Sequence, residues 1–230
     1  MITRRKNYTK QTPSRDARKL YIFCEGRGTE PSYFSFFEGL STNLEIITIP
    51  PESGTDPLKL LELAKTKLLN EYSRFVMDYR ANDSVWFVID TDSWEKEGKI
   101  IPLRAFCDKN NIDFQEKYTE VKPYGAWNVV QSNPSFEIWL YYHFFKASPN
   151  LDEVSSCPSF KAFVDGAISG GFDFQKDPVR VSAAIENAKV NFKCTNDRKL
   201  ALFSTEVYRL AEEIILFVNQ HLERLRGKMM

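Results

Sequence analysis

Three acidic residues stand at the places where an α/β protein usually does its chemistry. Glu25 closes a short apolar run, Leu20-Tyr21-Ile22-Phe23-Cys24, and is followed by Gly26. Asp90 closes a second run, Val85-Trp86-Phe87-Val88-Ile89, and Asp92 follows two residues on. Continuous apolar runs of this length predict strands covered on both faces of a parallel sheet. In such sheets functional side chains collect at the carboxyl ends of strands, and in extended chain Asp90 and Asp92 share a face. Three carboxylates on one rim repel each other, a conflict that a bound divalent cation removes. Oxygen donors without neighbouring histidine or cysteine select a hard ion, Mg²⁺ or Mn²⁺. Gly26 allows a sharp turn and lets a phosphate approach the peptide N–H groups. Glu-Gly after a strand is a weak signal, as is a lone Asp-x-Asp; the two together at two strand ends are much stronger.

The elements that must position these acids follow from periodicity. Residues 29–40 predict a helix with Thr29 as N-cap and Pro31 in its first turn. Leu44 to Ile49 predicts a second strand, stopped by Pro50-Pro51. Residues 57–79 predict a helix with Leu58, Leu61, Ala64, Leu68, Tyr72 and Phe75 on one stripe. A helix is expected around 98–110, a fourth strand over Trp127 to Gln131, and an apolar helix over Phe136 to Phe145. This alternation argues for a doubly wound parallel sheet with right-handed crossovers. Beyond it, residues 148–176 are rich in Ser, Pro, Gly and Asp, and helices are expected at 178–192 and 204–226. The organisation read from the chain is a basic, disordered arm over 1–18, a catalytic core over 19–146, and a connection with docking helices over 147–230.

Three segments carry a family resemblance: Phe23-Cys24-Glu25-Gly26-x-x-Thr29-Glu30-Pro31-x-Tyr33-Phe34; Val85-Trp86-Phe87-Val88-Ile89-Asp90-x-Asp92; and Ser132-Asn133-Pro134-Ser135-Phe136-Glu137-Ile138-Trp139-Leu140 with His143-Phe144. Strand-Glu-Gly followed by strand-Asp-x-Asp resembles the Toprim domain of topoisomerases, primases and overcoming-lysogenization-defect nucleases. The three segments together resemble the RloB-like family over residues 19–145, with the C-terminal helix fitting more loosely. That resemblance implies a Toprim-like, Rossmann-like sheet flanked by helices. It also implies a Mg²⁺-dependent (or Mn²⁺-dependent) nuclease acting on DNA or RNA, tRNA included, paired with an AAA-type ATPase in phage defence.

Further residues fall around the same rim. Glu137 opens an apolar helix, where a carboxylate favours the helix dipole, yet it and Asn133 would also project toward Glu25, which makes Glu137 a second expected metal ligand. Gly26, Arg27, Thr29, Lys122, Asn133 and His143 are candidate substrate or phosphate contacts. For His143 a packed histidine is an equal alternative, and for Arg27 and Lys122 a solvated side chain is the blander reading. Glu30 is either a helix N-terminal charge or a support behind the ligands.

Rival readings meet specific residues. A dinucleotide fingerprint would need a third glycine where Pro31 stands. A haloacid-dehalogenase-like phosphotransferase would place its Asp-x-Asp after the first strand and a small residue where Trp94 stands. A non-catalytic regulatory subunit with a structural metal site stays open.

Composition sets the outer limits. Eighteen Phe, 10 Tyr and 4 Trp in 230 residues can build a substantial core. No apolar run approaches the ~20 residues that cross a bilayer, and no signal-peptide pattern opens the chain, so a cytoplasmic protein is expected. Cys24, Cys107, Cys157 and Cys194 are scattered and form no zinc motif with His143 and His221. Charge balances at 31 basic against 31 acidic residues, but the first 20 residues hold Arg4, Arg5, Lys6, Lys10, Arg15, Arg18 and Lys19 against Asp16. Such an arm can grip phosphates or remain a solvated leader.

Overall fold

A computed structural model describes residues 10–52, 54–91 and 93–227. Four parallel strands form one sheet: β1 (Arg18–Cys24), β2 (Leu44–Ile49), β3 (Ser84–Asp90) and β4 (Trp127–Ser132). Their spatial order is β2-β1-β3-β4. The chain moves outward from β1 to β2, then crosses back to lay β3 on the other side of β1. In register, Cys24 lies beside Val88 and Asp90 beside Ser132. The order therefore reverses between β1 and β3, the switch point at which open α/β sheets leave a crevice beyond their strand ends.

Alternation along the strands divides the core in two. Leu20, Ile22, Cys24, Trp86 and Val88 face one side, with α1 (Thr29–Ser35), α4 (Glu137–Tyr141), α6 (Phe160–Ala167), α7 (Val181–Asn191) and α8 (Val207–Arg226). Tyr21, Phe23, Val85, Phe87 and Ile89 face the other, covered by α2 (Pro57–Ala64) and α3 (Ile100–Lys117). Both faces are sealed, which explains the unbroken apolar runs. The doubly wound α/β reading is correct.

Several boundaries differ from the sequence reading. The disordered arm expected over 1–18 is corrected for residues 10–18. Gln11 N donates to Gly39 O at 2.9 Å, Ser14 N to Thr42 O at 2.7 Å, and Ala17 is buried. Gly39 has φ +69°, and a Cβ there would meet the Lys10 Cβ at 2.8 Å, so only glycine lets the segment lie down. Arg18 pairs with Glu213 at 2.7 Å, binding the strand to α8. Arg4, Arg5 and Lys6 lie outside the described residues.

The helix expected over 57–79 ends early. After α2, one π-helical turn runs over Lys65–Leu69, and Asn70 leaves helical geometry. Tyr72, expected on the buried stripe, is 92% exposed. Thr29 is the first residue of α1 rather than its cap; Gly28 precedes it and no side chain caps the turn. The Ser/Pro/Gly-rich stretch over 148–176 is not a plain connection. It contains α5 (Leu151–Ser155) and α6, and Phe163, Val164 and Ile168 enter the main core. Asn150 and Ser159 cap these helices with their side chains, so the polar residues that read as loop are helix starts.

The helices after β4 share the core of β1 and β3 rather than docking as a separate layer. Val207, Leu210, Ala211, Ile214, Val218 and Leu222 of α8 are all buried in it. We predict that Leu210→Ala, at a fully buried site, costs about 2–5 kcal/mol and still leaves one cooperative transition. Calorimetry would check this; two separated transitions would mean that α8 folds apart from the sheet.

Candidate functional site

The crevice at the switch point is built by Glu25, which leaves β1, and Asp90, which ends β3. Glu25 is 6% exposed. Its Oε2 accepts from the Asp90 backbone N–H at 2.9 Å, and its Oε1 accepts from the Trp94 indole Nε1 at 2.6 Å. Asp90 Oδ1 accepts from the Phe136 backbone N–H at 2.8 Å, just before α4. The two acids are thus joined through the peptide of Asp90. A pocket of about 210 Å³ opens on them, lined also by Thr29, Glu30, Thr55 and Glu137.

Glu137 begins α4 beside this pocket, and its Oε2 accepts from the Ser135 hydroxyl at 2.6 Å. Glu30 comes from the first turn of α1 and is 4% exposed. Gly26 N–H donates to Glu30 Oε1 at 2.9 Å. Burial pushes the Glu30 carboxyl above its ordinary range and nearby Glu137 adds to this, while the backbone donors and Lys161 pull it down. A Cβ on Gly26 would lie 2.3 Å from Glu30 Oε2. The glycine thus makes room for a carboxylate of the same chain, where the sequence reading had a phosphate on its N–H.

Three of the other sequence candidates are placed elsewhere. Asn133 turns away from the rim: its Nδ2 donates to Leu200 O at 2.8 Å, and its N–H to Ser204 O. Lys122 lies at the opposite end of the sheet, in a cleft with Arg18, Asn82 and Gly125 near the strand starts. Strands of seven residues separate the two ends by about 20 Å. His143 is buried among aromatic rings, its Nδ1 against Trp139 O at 2.9 Å and its Nε2 against the Tyr33 hydroxyl at 3.1 Å. The carbonyl requires the proton on Nδ1, so the tyrosine donates to Nε2. Burial foremost, with Arg180 nearby, lowers its pKa to about 3; it is a core histidine, not a phosphate donor. Arg27 is exposed just past Gly26, and its guanidinium donates to Glu52 O at 3.2 Å.

Asp92 lies outside the described residues. The loop that carries it is held from its other side. Thr91 is buried, and its N–H and Oγ1 both donate to Ser132 O at 2.8 Å. Gln131 Nε2 donates to Thr91 Oγ1 at 2.8 Å, and Gln131 Oε1 accepts from Arg104. Arg104 in turn pairs with buried Glu206 at 2.6 Å. Sequence reasoning missed Trp94, Thr55 and this chain of residues. Trp94 carried one signal, a large indole two residues after the Asp-x-Asp, where a solvent-exposed turn would favour small polar residues.

Among the described residues no group of three or more His, Cys, Asp and Glu side chains is arranged to hold a metal ion. Their hydrogen bonds give a reason: Glu25, Asp90 and Glu137 are each turned toward a donor of the chain itself. In donor type the pocket still fits a hard divalent cation, since its charged lining groups, Glu25, Glu30, Asp90 and Glu137, are all carboxylates.

Two predictions come from this geometry. Gly26→Ala should cost about 1–3 kcal/mol in the natural protein but under about 0.5 kcal/mol in a Glu30→Ala background. A double-mutant cycle by chemical denaturation reads the difference; equal costs would mean that the Glu30 carboxylate does not occupy that space. His143 supplies the second. Its folded pKa lies below that of the unfolded chain, so stability is full above ~6.5 and falls as pH drops, flattening near the folded value. Between pH 6 and 4 the natural protein should lose about 1.4 kcal/mol per pH unit more than His143→Gln. Equal slopes would place a proton on the buried ring.

No curated protein and no solved structure matches the chain significantly. The profile of the RloB-like protein family matches residues 20–214. That span includes Glu25, Asp90 and Glu137 and continues into the first eight residues of α8, beyond the 19–145 read from the motifs. The chain belongs to the RloB-like family.

Proposed function

We propose that this RloB-like protein is a metal-dependent nuclease that hydrolyses phosphodiester bonds in DNA or RNA, tRNA among them. We further propose that it acts in anti-phage defence beside an AAA-type ATPase, as the family resemblance implies. One observation carries the catalytic reading. Glu25 and Asp90 leave neighbouring strands at the switch point and open, with Glu137 and Glu30, onto one pocket.

Glu25, Asp90 and Glu137, with Asp92 from the sequence, are the residues that would hold a Mg²⁺ or Mn²⁺ ion. Such an ion, when bound, neutralises the clustered acids, polarises the phosphodiester and acidifies a water. The chain's own part is positioning. Trp94 and the Asp90 peptide fix the plane of the Glu25 carboxylate. The Phe136 N–H fixes one oxygen of Asp90, and Ser135 fixes one of Glu137. Groups held this way need little reorganisation when charge develops on a substrate. Arg27, exposed one residue past Gly26 with its guanidinium on Glu52 O, is the proposed contact for a substrate phosphate.

The same geometry governs the choice of variants. Glu25→Gln places an amide N–H₂ against one of two donors, so it disturbs the fold as well as the charge. Glu137→Gln keeps an oxygen for the Ser135 hydroxyl, and Asp90→Asn keeps one for the Phe136 N–H, while each removes a charge. With panels of DNA and RNA in Mg²⁺ and Mn²⁺, we expect cleavage by the natural protein. We expect a loss of at least roughly 10–100-fold in single-turnover rate for either variant, with unchanged melting temperature. Mn²⁺ affinity by calorimetry should fall in parallel in Asp90→Asn. If the natural protein, with and without its ATPase neighbour, cuts nothing in either metal, the nuclease reading fails and the acids are braces of a non-catalytic module.

A further inference from the structure

A second cleft lies on the other side of the molecule's C-terminal segment, along the outer edge of β4. It measures about 390 Å³ and is bordered by α3, the start of α8 and residues 192–200. Ligand sites for molecules of nucleotide size occupy clefts of ~300–1,000 Å³.

Its lining brings guanidinium groups and aromatic rings together. Arg104, Arg198 and Arg209 face it against the carboxylates Asp108 and Glu206. Arg104 is the central group: it is 9% exposed, and its Nε is buried without a hydrogen-bond partner among the described residues. Its Nη2 is taken by Gln131 and Glu206, while the Nε–H is a buried donor without an acceptor among the described residues. A buried donor left so costs ~1–3 kcal/mol. Arg198 and Arg209 sit nearer solvent, with side chains 57% and 41% exposed. Their pairing with Asp108 at 3.0 Å and Glu206 at 3.7 Å is of the exposed or long kind that contributes little. In the same lining, Phe192 and Tyr208 meet edge-to-face at 5.6 Å and are half-buried. Guanidiniums recognise phosphoryl oxygens in a fork, and a half-buried aromatic pair offers a flat ring a packing surface.

We propose that this cleft binds a nucleoside phosphate, its phosphoryl oxygens on Arg104, Arg198 and Arg209 and its base against Phe192 and Tyr208. The site is separate from the acidic pocket but wired to it. Arg104 holds Gln131, Gln131 holds Thr91, and Thr91 lies between Asp90 and Asp92. A ligand that draws Arg104 toward the cleft therefore pulls on the loop of the acidic site.

Binding is measured without any cleavage assay, so its outcome is independent of the nuclease reading. Full-length protein in phosphate- and sulfate-free buffer is titrated by calorimetry with ADP, CDP, inorganic phosphate and a single-stranded oligonucleotide lacking terminal phosphates. At least one nucleotide should bind with a dissociation constant below about 1 mM, on the order of tenfold tighter than inorganic phosphate. The double variant Arg198→Ala, Arg209→Ala, shown to be folded by an unchanged melting temperature, should weaken it about tenfold or more. Tyr208→Ala should erase the margin over phosphate, and Arg104→Lys, which keeps a cation for Glu206 but lacks the Nε donor, should weaken both. No nucleotide binding, binding indifferent to the arginine pair, or inorganic phosphate binding as tightly as the nucleotides would overturn the proposal. Binding of the oligonucleotide alone would also overturn it and give the cleft to a nucleic-acid strand.

Discussion

A carboxylate buried at the end of a strand has to find donors, and in this fold Glu25 finds them on the neighbouring strand. Its side chain is the clasp between β1 and β3 at the point where the sheet ladder ends. One oxygen takes the N–H of Asp90, the last residue of β3, and the other takes the indole of Trp94 from the loop beyond. An unpaired buried charge costs several kcal/mol. That cost constrains everything around it. The loop after Asp90 must fold back far enough to present Trp94. The turn after Glu25 must leave space for Glu30, whose carboxylate occupies the volume that a side chain at position 26 would fill.

The opposite side of the same loop depends on the C-terminal third of the chain. Ser132 ends β4 and accepts twice from Thr91, while its hydroxyl meets Thr205 at 2.8 Å. Gln131 is held by both Arg104 and Glu206. Glu206 also gives its own N–H to Gln131 O at 2.8 Å, so the segment before α8 behaves as a short extra strand on the free edge of β4. An exposed edge is a liability that proteins cover or blunt. Here the cover also fixes the loop between Asp90 and Asp92, so the acidic site and the C-terminal helix form one mechanical unit.

This explains what could be read from the sequence and what could not. The strands and the two acids at their ends were legible because burial on both faces leaves a simple apolar run and an abrupt polar stop. The motif from Ser132 to His143 was recognisable as a pattern, but its members do different jobs. Phe136 and Trp139 pack against Tyr33 of the first motif, His143 accepts the Tyr33 hydroxyl, and Asn133 ties down Leu200. Nothing in residue type separates a histidine that accepts a proton from one that accepts a tyrosine; only burial does. Thr91, Gln131, Arg104 and Glu206 were invisible for another reason. The bonded partners are 27 to 102 residues apart in sequence, and their pairing is a product of strand order, which periodicity does not encode. The capped short helices between 150 and 167 were lost to their own caps, since Asn and Ser mark loops and helix starts alike.

The acidic pocket also shows how like charges can be gathered in a folded chain before any cation is considered. Each of Glu25, Asp90, Glu30 and Glu137 accepts from a donor fixed by the backbone or by a neighbouring side chain: a strand-end peptide and an indole, the peptide entering α4, the Gly26 peptide, and the Ser135 hydroxyl. Several of these donors lie near the amino ends of helices, where partial positive charge accumulates. The repulsion that made a cation seem obligatory from the sequence is therefore met in part by the protein itself. Any ion the pocket takes must compete with these donors. A hard, strongly charged ion can do so where a monovalent one cannot, because its attraction for each oxygen exceeds that of a neutral N–H. Selectivity would then come from the strength of the internal hydrogen bonds as much as from the number of ligands, and Trp94, at 2.6 Å from Glu25, is the donor that sets the strictest threshold.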